Sequence, residues 1–275
     1  MKRFLAATLF LALLASSALA ADVKVYDGVK LHAFATGDNM ADECYVIESA
    51  KGLVILESTA YKEDVNAFNE YIKSLNKPVM GAILSYHPNG YKTYGNVKIY
   101  ATESALKTWQ PGGGVYGLTE SFKQALGDKV ADDLPSEATI IHEGDQITIA
   151  GVTFNILKSS DGENFDVEIP AFNAVYRHMM GSKVHNILPS LGYIEAEIAD
   201  LKNYQEKGYE LVLTSHNVPE GKDAIAEKIG YLEKVKELAE NSKTADEFTT
   251  AVKNAFPDYA GEAYLGMSAG MLFSK

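Results

Sequence analysis

Cysteine is almost missing from this chain of 275 residues. Cys44 stands alone, so no intrachain disulfide can form and the fold has to be held by its buried core. It lies in the alternating stretch Glu43-Cys44-Tyr45-Val46-Ile47 and reads as a small core residue, not a nucleophile. Cations are in deficit too: 25 Lys and Arg against 37 Asp and Glu give a formal charge of −12. That balance argues against nucleic acid as a partner, because phosphate binding needs clustered Lys and Arg, and against docking on an anionic membrane. Beyond residue 20 no apolar run reaches the ~18 residues of a membrane-spanning helix, and no low-complexity or Pro/Ser-rich linker splits the chain. A Gly-x-Ser-x-Gly elbow is missing, which removes support for a serine hydrolase. Gly112-Gly113-Gly114 lacks the Gly-Lys-Ser/Thr ending of a P-loop and reads as a lid or hinge.

What is present begins with a targeting pattern. Met1-Lys2-Arg3 is basic, residues 4–15 are apolar, and Ala18-Leu19-Ala20 is a small-x-small cleavage site, the three parts of a secretory signal peptide. The expected organisation is therefore a signal peptide at 1–20 and one domain at 21–275, exported to the periplasm or secreted, with no stable membrane insertion after cleavage. Loss of Lys2 and Arg3 takes the formal charge from −12 to −14.

Periodicity lays out two successive sets of strands and helices. The first has strands at 23–26, 31–36, 44–47 and 53–57, a helix at 62–75 with Val65, Phe68, Ile72 and Leu75 on one face, strands at 79–84 and 97–100, and helices at 103–108 and 119–126. The second has strands at 140–142, 146–149, 152–157, 167–169 and 174–176, a helix at 192–207, a strand at 211–214 and a helical region from 222 that breaks near Asn241-Ser242. Such an order implies two sheets packed face to face with helices outside, a four-layer αββα sandwich of the α/β class.

Three segments carry candidate chemistry. Ser85-Tyr86-His87-Pro88-Asn89-Gly90 follows the strand at 79–84, Thr214-Ser215-His216-Asn217-Val218-Pro219 follows the strand at 211–214, and Met179-Met180-Gly181-Ser182-Lys183-Val184-His185 lies between them. Together they resemble the metallo-β-lactamase superfamily, whose signature at the first place is Thr/Ser-His-x-His-x-Asp-His and at the second Ser/Gly-His-Gly-x-Pro. With one position deleted, Ser85 and His87-Pro88 fall on the first pattern, while one His is missing, Asn89 replaces Asp and Gly90 replaces the last His. Glu57 stands where the family's opening hairpin closes with Asp. In the middle segment the resemblance implies that Ser182 replaces His, Lys183 replaces a metal-associated Asp, and His185 is retained. The family fold is the same αββα sandwich.

A catalytic zinc takes three protein ligands and leaves a fourth position open. Here the resemblance supplies His87 and His216, with His185 as the third candidate, and Lys183 sets an ammonium where a carboxylate is expected. No resident cofactor is therefore expected, one zinc ion on His87, His216 and His185 being the alternative. The expected function is non-catalytic binding of a small molecule, an anion if Lys183 replaces the lost metal charge. The crevice for it is edged by Tyr86, His87, Asn89, Lys183 and His216. The alternative is a metal-dependent hydrolase of an ester, lactone, sulfate or amide. His32 and His142 read as structural and His178 as a packing residue beside the site. Tyr86, Tyr91, Tyr94, Tyr100 and Tyr116 would make an aromatic pocket if they converge.

Overall fold

Strands β3 (Glu43–Ser49) and β4 (Gly52–Leu56) are buried along their whole length, as strands covered on both faces must be. They form the centre of a seven-stranded sheet with β1 (Asp22–Tyr26), β2 (Val29–Ala35), β5 (Val79–Ile83), β6 (Ile99–Ala101) and β7 (Thr139–Ile140), arranged in chain order. β1 to β4 pair antiparallel and β4 to β7 parallel. A computed structural model describes residues 21–38, 40–160 and 162–274 of the chain. The expected signal segment at 1–20 lies outside them.

The second sheet has six strands in the order β13-β12-β11-β10-β9-β8: β8 (Gln146–Ile149), β9 (Val152–Lys158), β10 (Phe165–Ile169), β11 (Ala174–Tyr176), β12 (Leu211–Leu213) and β13 (Glu220–Gly221). Alternation along the short strands sorts their side chains into two layers. Ala174, Tyr176, Leu211 and Leu213 join Tyr45, Ile55 and Phe154 in the core between the sheets. Val175 and Val212 point the other way, into a second core built with Leu201, Leu232, Val235 and Phe248.

Helix α1 (Lys62–Ser74) covers the outer face of the first sheet, stacking Phe68 and Tyr71 on Phe34. α2 (Glu103–Thr108) and α3 (Gly114–Leu126) follow β6. α4 (Leu191–Lys207), α5 (Asp223–Asn241), α6 (Ala245–Ala255) and α7 (Glu262–Leu272) cover the second sheet. The sandwich expected from the sequence is the observed architecture. α3 begins five residues earlier than periodicity predicts, because Gly112-Gly113 forms the bend into it: Gly112 has φ +92°, and a Cβ on Gly113 would lie 2.3 Å from the Thr108 carbonyl oxygen.

Candidate functional site

Three histidines meet at one end of the sandwich, each a few residues beyond a strand: His87 after β5, His178 after β11 and His216 after β12. The parallel pairing of β11 with β12 sets Tyr176 beside Leu213, and the ladder continues with Arg177 N–H to Leu213 O at 3.0 Å and Ser215 N–H to His178 O at 3.1 Å. That register brings His178 and His216 side by side. Nε2 of His178 lies 3.1 Å from Nε2 of His87 and 3.1 Å from Nε2 of His216.

The loop carrying His87 is fixed from below by Glu57. Its fully buried carboxylate accepts the backbone N–H groups of Ser85 and His87, both at 2.6 Å, and of Tyr86 at 3.2 Å. Burial pushes the Glu57 carboxyl up to about 7, with the His87 and Ser85 N–H groups opposing the rise. Gly90 ends the loop at φ +71°, so close to α1 that a Cβ would lie 2.5 Å from Val65 Cγ1. Asn89 turns away from the imidazoles: Nδ2 donates to Ala131 O at 2.7 Å and Thr119 Oγ1 at 3.3 Å, tying the loop to α3.

Each imidazole is positioned separately. Tyr86 stacks on His178 with ring centroids 3.9 Å apart and planes 7° from parallel. The Thr214 hydroxyl holds the His178 carbonyl at 2.5 Å. Nδ1 of His216 lies 3.0 Å from the Met40 carbonyl and 3.0 Å from Asp42 Oδ1. Both neighbours are acceptors, so the proton sits on Nδ1 and the Nε2 lone pair faces the other two rings. Desolvation pushes His87 down to about 4 and holds His178 well below the ordinary imidazole range, with the other imidazoles adding to the effect. Both are neutral at physiological pH.

A lone nitrogen between two others cannot satisfy both by hydrogen bonding, since it holds either one proton or one lone pair. Three imidazoles brought together at one point suit a cation. Tetrahedral zinc with bonds of about 2.0–2.1 Å sets its nitrogen ligands about 3.3–3.4 Å apart, close to the 3.1 Å spacings seen here. The three histidines are the one group of potential metal ligands found among the described residues, with no carboxylate among them. The residues present therefore fit a single ion on an all-nitrogen set and not a pair of ions bridged by a carboxylate.

His185, expected as a third ligand, does not join His87 and His216. His185 is buried elsewhere, its Nδ1 3.0 Å from the Tyr231 hydroxyl and its ring against Tyr231 and Tyr259. Lys183 is exposed, with φ +54°, and lines neither cavity at the cluster, so its charge does not reach the crevice as expected. Ser182 donates to Glu220 through its backbone and its hydroxyl. His178, read as packing, meets His87 and His216 instead. The signal that could have found it is shared by all three: a histidine two to four residues past a short apolar strand. Of the five tyrosines near the loop, Tyr86 alone lines the cavity over the cluster; Tyr94 is buried on Ser58 Oγ at 2.6 Å.

Over the cluster lies a cavity of about 310 Å³. Its walls are mainly apolar: Val115, Leu118 and Phe122 from one face of α3, Met179 and Ile187 from the segment after β11, and Met267 from α7. A second cavity of about 290 Å³ adjoins it across the Tyr86–His178 stack and shares Val115, Leu118, Met179 and Ile187. Among the described residues no aspartate or glutamate lines the first cavity.

Comparison of the sequence with family models and with curated proteins gives no match. Solved structures do match. A metallo-β-lactamase family protein of Thermus thermophilus superposes with TM-score 0.64 at 12% identity, over 90% of this chain and 92% of that one. The chain has the metallo-β-lactamase fold. The stereoselective inverting sec-alkylsulfatase Pisa1 of Pseudomonas sp. gives TM-score 0.61 at 15% identity over 92% of this chain. This chain spans about half the length of that sulfatase, 50% of it being covered. The metallo-β-lactamase FIM-1 of Pseudomonas aeruginosa, solved in its mono-zinc form, gives TM-score 0.52 at 13% identity, over 79% and 96% of the two chains.

Proposed function

We propose that this chain is a one-metal hydrolase of the metallo-β-lactamase fold, holding a zinc-class divalent ion on His87, His178 and His216 and acting on a small, mostly apolar molecule. The convergence of three Nε2 atoms at the base of an apolar cavity carries this reading. Such an ion supplies Lewis acidity toward an electrophilic centre and toward water. The protein does the rest. Glu57 fixes the loop that presents His87, Tyr86 sets the plane of His178, and the α3 face of Val115, Leu118 and Phe122 excludes water and binds the apolar part of the substrate. Neutral imidazoles bring no charge to offset a dication, so the site favours substrates with an anionic or strongly polarised head. An alkyl sulfate, the kind of substrate named for the Pseudomonas sulfatase, has both parts; esters, lactones and amides are the further classes to try. Export through residues 1–20 belongs to the same proposal.

A second reading, binding without turnover, draws on a separate observation. Among the described residues no carboxylate lines the cavity to serve as a general base, and Asn89 is committed to Ala131 and Thr119. Elemental analysis of protein purified without chelator, with turnover of alkyl sulfates and aryl esters followed in parallel, separates the readings. One equivalent of metal with turnover that His178→Ala abolishes is the expected result. Metal without turnover leaves the binding reading, and absence of both metal and zinc-induced stabilisation overturns the metal site.

A further inference from the structure

Asp42 is fully buried beside the cluster and is not explained by the fold alone. Its Oδ2 accepts from the Thr59 hydroxyl at 2.7 Å and from the Ala60 N–H at 3.4 Å. Oδ1 makes no hydrogen bond of good geometry, yet lies 3.0 Å from Nδ1 of His216. Backbone pairing holds the two residues in place independently of the carboxylate. Glu43 N–H donates to Ser215 O at 2.8 Å, Asn217 N–H donates to Ala41 O at 3.0 Å, and Asp42 and His216 face each other as an antiparallel bridge. The chain thus places a carboxylate, oriented by two donors on its far oxygen, against the ring nitrogen of His216 that points away from the cluster.

We infer that Asp42 is a positioning residue that keeps the His216 proton on Nδ1 and makes its Nε2 a stronger donor toward a cation. A ring N–H given to a carboxylate fixes the tautomer and raises the basicity of the opposite nitrogen, and loss of such a partner weakens metal sites by about 10–100-fold. The Met40 carbonyl shares the contact but carries no charge. His87 has no equivalent partner, its Nδ1 being buried without a hydrogen bond. The set is therefore asymmetric, with His216 a better supported donor than His87.

This inference rests on the metal-site reading for its consequence but not for its tautomer. Two measurements separate them. ¹⁵N NMR of the metal-free protein under mildly alkaline conditions should show His216 in the Nδ1–H form, and Asp42→Asn should introduce the Nε2–H form while thermal unfolding stays cooperative. Competition with a chromophoric chelator should show zinc bound about 10–100-fold more weakly by Asp42→Asn than by the wild type. Wild-type His216 in the Nε2–H form overturns the inference whether or not the variant folds, and so does unchanged zinc affinity in a variant that folds. If the wild type binds no zinc, the metal reading fails, and the tautomer alone decides the role of Asp42.

Discussion

Arg177 and His178 are neighbours in sequence, yet each anchors a buried polar cluster of opposite kind. The Arg177 guanidinium donates to Asp166 at 2.7 Å, to Asp200 at 3.2 Å and to the Ser160 hydroxyl, and lies 3.9 Å from Glu197. Beyond it, Asn186 bridges Glu197 to the buried Lys228 ammonium, with contacts of 3.1 and 2.7 Å. In that network cations meet acids. Around His178 three bases face one another with no acid between them. The difference separates a cluster whose charges are offset within the chain from one whose nitrogens could hold an added cation.

The sharpest way to break the contrast is to remove one member of each. Arg177→Leu leaves Asp166 and Glu197 buried without their cation and should cost about 3–5 kcal/mol in urea unfolding. His178→Ala in metal-free protein should cost about 1 kcal/mol, mostly the lost stacking on Tyr86. Equal losses in both would erase the distinction.

Zinc tests the same contrast from the other side. At a free concentration 100 times its Kd, a ligand specific for the native state adds about 2.7 kcal/mol to stability. The wild type should gain that much, read as a rise in Tm, and His87→Ala, His178→Ala and His216→Ala should gain almost none.

Glu43 and Glu48 repeat the comparison of paired with unpaired charge on one strand, β3. Lys77, Lys30 and His32 draw the Glu48 carboxyl down to about 2 against its burial, whereas burial pushes Glu43 up to about 8, helped by Asp22. The signs differ. Glu48 contributes stability present above the ordinary carboxyl value and lost as pH falls from there toward 2. Glu43 is protonated in the fold, so the protein loses stability as pH rises from the ordinary value toward 8. The effect at Glu48 should be about 1–2 kcal/mol once its partly exposed lysines are discounted. Unfolding curves of Glu48→Gln should flatten the acid limb, and those of Glu43→Gln the alkaline one.

The smallest effect is expected at the cavity roof. Leu118 is 48% exposed, so Leu118→Ser should change stability by less than about 0.5 kcal/mol. Its loss should weaken binding of a long-chain alkyl sulfate several-fold, measured by calorimetry on zinc-loaded protein, and leave inorganic sulfate unaffected.

Most of the fold was legible in the sequence because its strands are short apolar runs with clear turns, and α1 and α4 end within a residue or two of their expected limits. The site was half legible. His87 and His216 stand out through flanking motifs, but His178, between Arg177 and Met179, is marked only by its place two residues past β11, and the parallel register of β11 with β12 brings it to His216. The resemblance directed attention to Lys183 and His185, but after Gly181 Lys183 is exposed and His185 is buried against Tyr231 and Tyr259. That glycine packs so tightly that a Cβ would lie 2.3 Å from Asn217 Nδ2.

Gly90 has a consequence for any attempt to rebuild a richer metal site in this scaffold. The loop backbone lies against Val65 with a left-handed φ of +71°, so a histidine at position 90 would meet both steric conflict and backbone strain. Substitution in the loop alone cannot re-create a ligand there; Val65 would have to be shortened as well. What position 90 can carry is thus set by one side chain of the neighbouring helix and by the loop's left-handed backbone, neither of which changes when other loop residues are exchanged.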